Sequence, residues 1–114
     1  MSPITTHVLD TSQGCPGVNI RIRLEQQQTD KTWQEIASGS TNSDGRIANL
    51  IQEDEMINSG VYRMLFETGP YFEQQGTAYF YPEIEVRFLL NHTEQHYHIP
   101  LLLSPFGYST YRGS

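Results

Sequence analysis

The tightest constraint on this chain is a run of strict alternation. From Val18 to Glu25, the residues Val18, Ile20, Ile22 and Leu24 fall on one side, and Asn19, Arg21, Arg23 and Glu25 on the other. Only an extended strand with one dry face and one wet face sends every second residue into apolar surroundings. The pattern recurs. Val61–Thr68 sets Tyr62, Met64 and Phe66 against Arg63 and Glu67, and Ile84–Leu90 sets Ile84, Val86, Phe88 and Leu90 against Glu85 and Arg87. Thr32–Ser38, around Trp33, reads as the partner of the first strand across the polar connector Gln26–Asp30. Ser43-Asp44-Gly45-Arg46 is a turn signal, because Asp-Gly readily supplies a positive φ at its glycine. A helix is predicted at Pro70–Gln75, where proline opens a short run that Gly76 stops, and Gln52–Ile57 reads as loop. Seven or eight short strands with these turns predict an all-β, two-sheet sandwich with Greek-key-like connections. Val18, Ile20, Phe66, Val86 and Phe88 are expected to fill it.

At 114 residues the chain is expected to be a single domain spanning 1–114. A formal charge of −6 excludes the Lys/Arg stripe that a nucleic-acid partner needs, and disfavours an anionic membrane surface. No apolar run has the length of a membrane span, and the first ten residues lack the basic start and apolar core of a secretory signal. Cys15 stands alone, so no intrachain disulfide can form and a reducing compartment is expected. The cytoplasm is the default; a periplasmic mature form or a peroxisomal form fits as well, although the chain does not end in Ser-Lys-Leu. Gly14-Cys15-Pro16-Gly17 reads as a turn, with no basic neighbour in sequence to activate the thiol.

Chemistry is concentrated in a few residues. Histidines stand at positions 7, 92, 96 and 98. His96 and His98, two apart on a predicted strand, project from one face about 7 Å apart. His7 lies in a second strand-like segment, Thr5–Asp10. Three roles are open to such a set: a three-histidine zinc site, metal-free acid/base catalysis, or hydrogen-bonded surface positions. Arg46 reads as solvated unless the fold carries it to those histidines, where a fixed guanidinium could meet an anion or an oxyanion. The chain closes on Tyr111-Arg112-Gly113-Ser114 directly after the ordered-looking segment His96–Thr110. Either it is an edge strand that stops, or an end that is used.

Four blocks of sequence carry a resemblance: ITTHVLDTSQGCPG (Ile4–Gly17), TNSDGR (Thr41–Arg46), YFYPEIEVRF (Tyr79–Phe88) and HYHIPLLLSPFGYSTYRGS (His96–Ser114). In order and spacing they resemble the 5-hydroxyisourate hydrolases, transthyretin-like proteins of urate catabolism. The terminal Tyr-Arg-Gly-Ser separates these from transthyretin itself. The resemblance implies a transthyretin-like sandwich of about eight strands with one short helix, assembled as a homotetramer with active sites where two dimers meet. It implies His7, Arg46 and His98 as catalytic residues and His7, Arg46, Tyr111 and Ser114 as substrate-binding ones. It also implies neither metal nor cofactor. The reaction would be attack of water on a ring carbonyl of 5-hydroxyisourate, giving 2-oxo-4-hydroxy-4-carboxy-5-ureidoimidazoline. His7 is favoured as base or water-orienting group with His98 in support, though the residues leave the assignment open. Gly113 is expected to permit a turn that folds the terminus inward. Cys15-Pro16-Gly17 departs from the family's more usual polar residue, proline and alanine. Three rivals remain: a transthyretin-type small-molecule carrier, whose channel would be apolar and neutral, a structural sandwich without a site, and a zinc hydrolase.

Overall fold

The alternating segments become strands of two facing sheets in the computed structural model, which describes residues 3–52 and 55–113. In chain order the strands are β1 (Ile4–Asp10), β2 (Cys15–Pro16), β3 (Arg21–Gln27), β4 (Trp33–Ser40), β5 (Gly60–Phe66), β6 (Ile84–Leu90), β7 (Tyr97–Ser104) and β8 (Gly107–Thr110), with helix α1 (Thr68–Gln74) between β5 and β6. One sheet has the order β2-β1-β7-β8 and the other β4-β3-β5-β6. The β1–β7 pair is parallel, which joins the two ends of the chain, and the other pairs are antiparallel. Between the sheets lies a dry layer that includes Ile4, Val8, Ile22, Leu24, Phe66 and Leu101.

Most expected strands are present, and β6 has the bounds its alternation predicts. Tyr62, Met64 and Phe66 point inward opposite Phe88, Val86 and Ile84. Val18 does not. It is 43% exposed, because Asn19 takes a left-handed backbone (φ 63°) and the strand begins two residues later. The alternation is real from Ile20 onward, but one αL residue resets the side to which its predecessor points. Cys15 and Pro16 are not a turn either. They pair with Asp10 and Leu9 as the short edge strand β2, and the turn precedes them at Thr11–Gly14. Gln52 and 55–57 are loop, as expected, while Glu53 and Asp54 lie outside the described residues.

The helix starts earlier than proline suggested and ends as expected. Gly76, at φ 68°, closes it with Gly76 N–H donating to the Glu73 carbonyl and Thr77 N–H to the Phe72 carbonyl. This crossed pair satisfies carbonyls that the helix leaves open.

Helix and sheet are tied by a carboxylate with no exposed surface, Asp10. Its Oδ1 accepts from Ser12 N–H (3.0 Å) and Ser12 Oγ (2.6 Å), and its Oδ2 from Gln13 Nε2 (2.9 Å) and the Tyr71 hydroxyl (2.7 Å). Burial pushes this carboxyl upward, but the bonds from Ser12, Tyr71 and Gln13 outweigh it and hold the group below its ordinary value. Burial, reinforced by Asp10, pushes the Tyr71 hydroxyl up to about 12. Tyr71→Phe is therefore expected to cost about 2 kcal/mol at pH 7, the size of a hydrogen bond to a charged acceptor. A carboxyl depressed in the folded state stabilises it above the unfolded value of 3.8, and that contribution fades as pH falls through the lower folded value. The gap between wild type and Tyr71→Phe in urea denaturation should thus narrow in acid. An equal gap at pH 7 and pH 3 would detach Tyr71 from the carboxylate.

Candidate active site

Inward positions of β1 are taken by Ile4, Thr6, Val8 and Asp10, so Thr5 and His7 face outward. On β7, Tyr97, Ile99, Leu101 and Leu103 face the core. His98 is thereby turned to the same outer face, with His96 just before the strand. Parallel register sets Thr5 beside His98 and His7 beside Pro100. Two segments far apart in sequence thus line up their polar residues on one surface.

Arg46 arrives by way of the predicted turn. Gly45 N–H donates to the Asn42 carbonyl (2.9 Å), and the Asn42 side chain accepts from Asp44 N–H (2.9 Å) and Arg46 N–H (3.1 Å). Gly45 is at φ 76°, and a Cβ there would collide with the Val8 carbonyl oxygen. The turn docks on β1 as a continuation of its edge: Val8 N–H donates to the Gly45 carbonyl (2.9 Å), and His7 and Arg46 form an antiparallel bridge. Residues opposed in such a bridge emerge on the same face.

The C-terminal segment borders the same surface. Gly113 N–H donates to the His98 carbonyl (2.8 Å), and the two residues form another bridge. Glycine is required here for close approach, not for a turn. Its φ is not in the left-handed region, but a Cβ would stand 2.5 Å from His98 Cδ2 and 3.2 Å from Pro100 Cγ. Arg112 turns away, donating to Gln95 Oε1 (3.0 Å) with its guanidinium 4.5 Å above the Tyr97 ring.

The result is an open groove of about 530 Å³ whose lining includes Thr5, His7, Arg46, His96, His98 and Tyr111. The fold therefore brings His7, Arg46, His98 and Tyr111 together, while Ser114 lies outside the described residues. His92 does not line the groove. The lining residues outside the set drawn from sequence include His96 and Thr5. His96 carried a signal in its spacing to His98, and Thr5 in sharing the parity of His7. Thr5 Oγ1 lies 2.9 Å from His96 Nε2 and 2.8 Å from His98 Nδ1. Burial, then the nearby Arg46 guanidinium, then His96 and His7 hold His98 below its ordinary 6.5. At neutral pH its imidazole is uncharged and able to accept a proton. Among the described residues, no group of three or more His, Cys, Asp or Glu side chains is arranged to hold a metal ion.

The profile of the HIUase/Transthyretin family matches residues 4–113. A 5-hydroxyisourate hydrolase of Salmonella typhimurium is 45% identical over 111 residues, 97% of this chain and 80% of the relative. Among solved structures, Klebsiella pneumoniae 5-hydroxyisourate hydrolase superposes with a TM-score of 0.84 at 32% identity, covering 100% of this chain and 94% of that one. Sea bream transthyretin in complex with thyroxine superposes with a TM-score of 0.90 at 38% identity, covering 97% and 94%.

Proposed function

The chain belongs to the HIUase/Transthyretin family, and on that premise we propose that it hydrolyses 5-hydroxyisourate to 2-oxo-4-hydroxy-4-carboxy-5-ureidoimidazoline in urate catabolism. One observation carries the reading: the groove gathers His7, Arg46 and His98 on a single face. A transthyretin-like carrier of apolar ligands has no use for two imidazoles and a guanidinium in its channel, whereas water attack on a ring carbonyl uses all three.

We take His98 as the base, where the sequence reading leaned to His7; what supports this is its half-buried place near Arg46, since burial and that guanidinium hold its imidazole below the ordinary value. Water's oxygen bonds to the carbonyl carbon as its proton passes to His98. The Arg46 fork stabilises the oxyanion, and His7 holds the ring edge beside it. Collapse of the tetrahedral intermediate breaks the carbon–nitrogen bond. The proton held by His98 goes to the departing nitrogen, and the new carboxyl group ionises. Tyr111 and Ser114 orient the ring. No step calls on a metal or cofactor.

The groove is open to solvent in one chain, so we assign it to a homotetramer in which a second copy covers it and excludes water. The chain is taken as one domain and placed in the cytoplasm. No helix among the described residues is long and apolar enough to cross a membrane. The direct test generates 5-hydroxyisourate in situ with urate oxidase and follows its decay with and without the protein. Unchanged decay would sink the proposal.

The pH profile supplies a sharper check. Activity should fall in acid as His98 takes up a proton, with a midpoint below 6.5, the ordinary histidine value. Arg46→Gln removes a neighbouring cation and should move that midpoint upward. Arg46→Lys keeps the charge, so the midpoint should stay while turnover drops, since a point charge cannot replace a planar fork. A midpoint unmoved in Arg46→Gln would uncouple Arg46 from the base.

A further inference from the structure

We propose that Thr5 and His96 are positioning residues that fix which nitrogen of His98 carries its proton, an inference that rests on the assignment of His98 as base. The Thr5 hydroxyl stands between the two rings, 2.8 Å from His98 Nδ1 and 2.9 Å from His96 Nε2. The rings are 6.4 Å apart and 22° from parallel. A threonine hydroxyl has one proton to donate and lone pairs to accept with. The arrangement that leaves neither ring nitrogen nor hydroxyl proton without a protein partner is a directional chain. It runs from His98 through Thr5 to His96, or the reverse.

The two directions differ in chemistry. In the first, His98 Nδ1–H donates to Thr5 and Thr5 donates to His96 Nε2. The lone pair of His98 is then on Nε2, the nitrogen outside the Thr5 contact, where it can receive water's proton. In the second, His96 Nε2–H donates to Thr5 and Thr5 to His98 Nδ1. The proton of His98 then occupies Nε2, and the ring has no lone pair left to act as base. Groups facing His98 select the first direction. Arg46, His7, His96 and Tyr111 border the groove with it, the Thr5 backbone carbonyl accepts from its ring, and a nearby cation such as Arg46 favours a lone pair over an N–H on the nitrogen away from Thr5. The outer hydrogen bond of a histidine is what sets its tautomer, and this one is supplied by a strand 93 residues away.

The decisive measurement is the tautomer of His98, read by long-range nitrogen–proton NMR on nitrogen-15-labelled protein at pH 8, without substrate. Wild type should show His98 protonated on Nδ1. Thr5→Val, close in shape but without the hydroxyl, should give a mixture, and Thr5→Ser should restore the wild-type signal. Turnover of 5-hydroxyisourate should fall about 10–100-fold in Thr5→Val with KM little changed, as expected for loss of a histidine's outer partner, and recover in Thr5→Ser. His96→Phe, which leaves the hydroxyl proton without its acceptor, should also give the mixture. A His98 signal identical in wild type, Thr5→Val and His96→Phe would overturn the relay, as would wild-type protonation on Nε2. Because the spectra need no substrate, a wild type inactive on 5-hydroxyisourate would reject the reaction while the spectra still decide the relay.

Discussion

His98→Asn is expected to lower turnover on 5-hydroxyisourate by about 10²–10⁴-fold, the usual weight of a positioned acid/base group. Asparagine keeps a polar side chain that can still meet Thr5, but it cannot take a proton at neutral pH. His98 is half-buried and near Arg46, so the loss should appear in turnover more than in KM. His7→Asn is expected to fall in the same range, through the ring contact and water beside Arg46. Both variants should keep the wild-type circular dichroism, because both side chains point away from the core, and light scattering checks that any assembly is kept. Near-normal turnover in the two variants would remove histidine from the mechanism.

Deleting residues 111–114 should abolish most activity and leave the sandwich folded. The β7–β8 pairing is complete at Thr110, so no strand is lost. What goes is Tyr111 at the groove wall and the Gly113 N–H that donates to the His98 carbonyl. Gly113→Ala is the finer probe. Its Cβ would stand 2.5 Å from His98 Cδ2, closer than real contacts allow, so the imidazole must shift. A displaced base loses rate even when every functional group is retained. Circular dichroism, size-exclusion with light scattering and the hydrolysis assay together give the answer. A truncated protein with wild-type activity would make the tail a frayed end.

Strands whose faces differ in polarity were legible from sequence, because period two is set by the backbone alone. Tyr62, Met64 and Phe66 point inward for that reason, and so do Ile84 and Val86. Val18 was misplaced because a left-handed residue, here Asn19, interrupts the period without leaving a compositional mark. His7, Arg46, His98 and Tyr111 could be picked out by the family blocks, yet nothing local says that Thr5 lies beside His98. That contact depends on the register of a parallel pair between the two ends of the chain. Asp10 was missed for a related reason. A carboxylate at a strand end reads as exposed until Tyr71 is brought over it.

The pairing of β1 with β7 also governs when the groove comes into being. Thr5 and His98 are 93 residues apart, and nearly the whole chain must leave the ribosome before they can meet. Closing so long a loop costs entropy before any contact repays it, which makes parallel pairing of distant strands a late event in folding. A nascent or prematurely terminated chain can form the β3–β5 sheet contacts and still possess no groove. Chemistry here is withheld until β7 has been made, so recovered activity after denaturation reports closure of β1 onto β7.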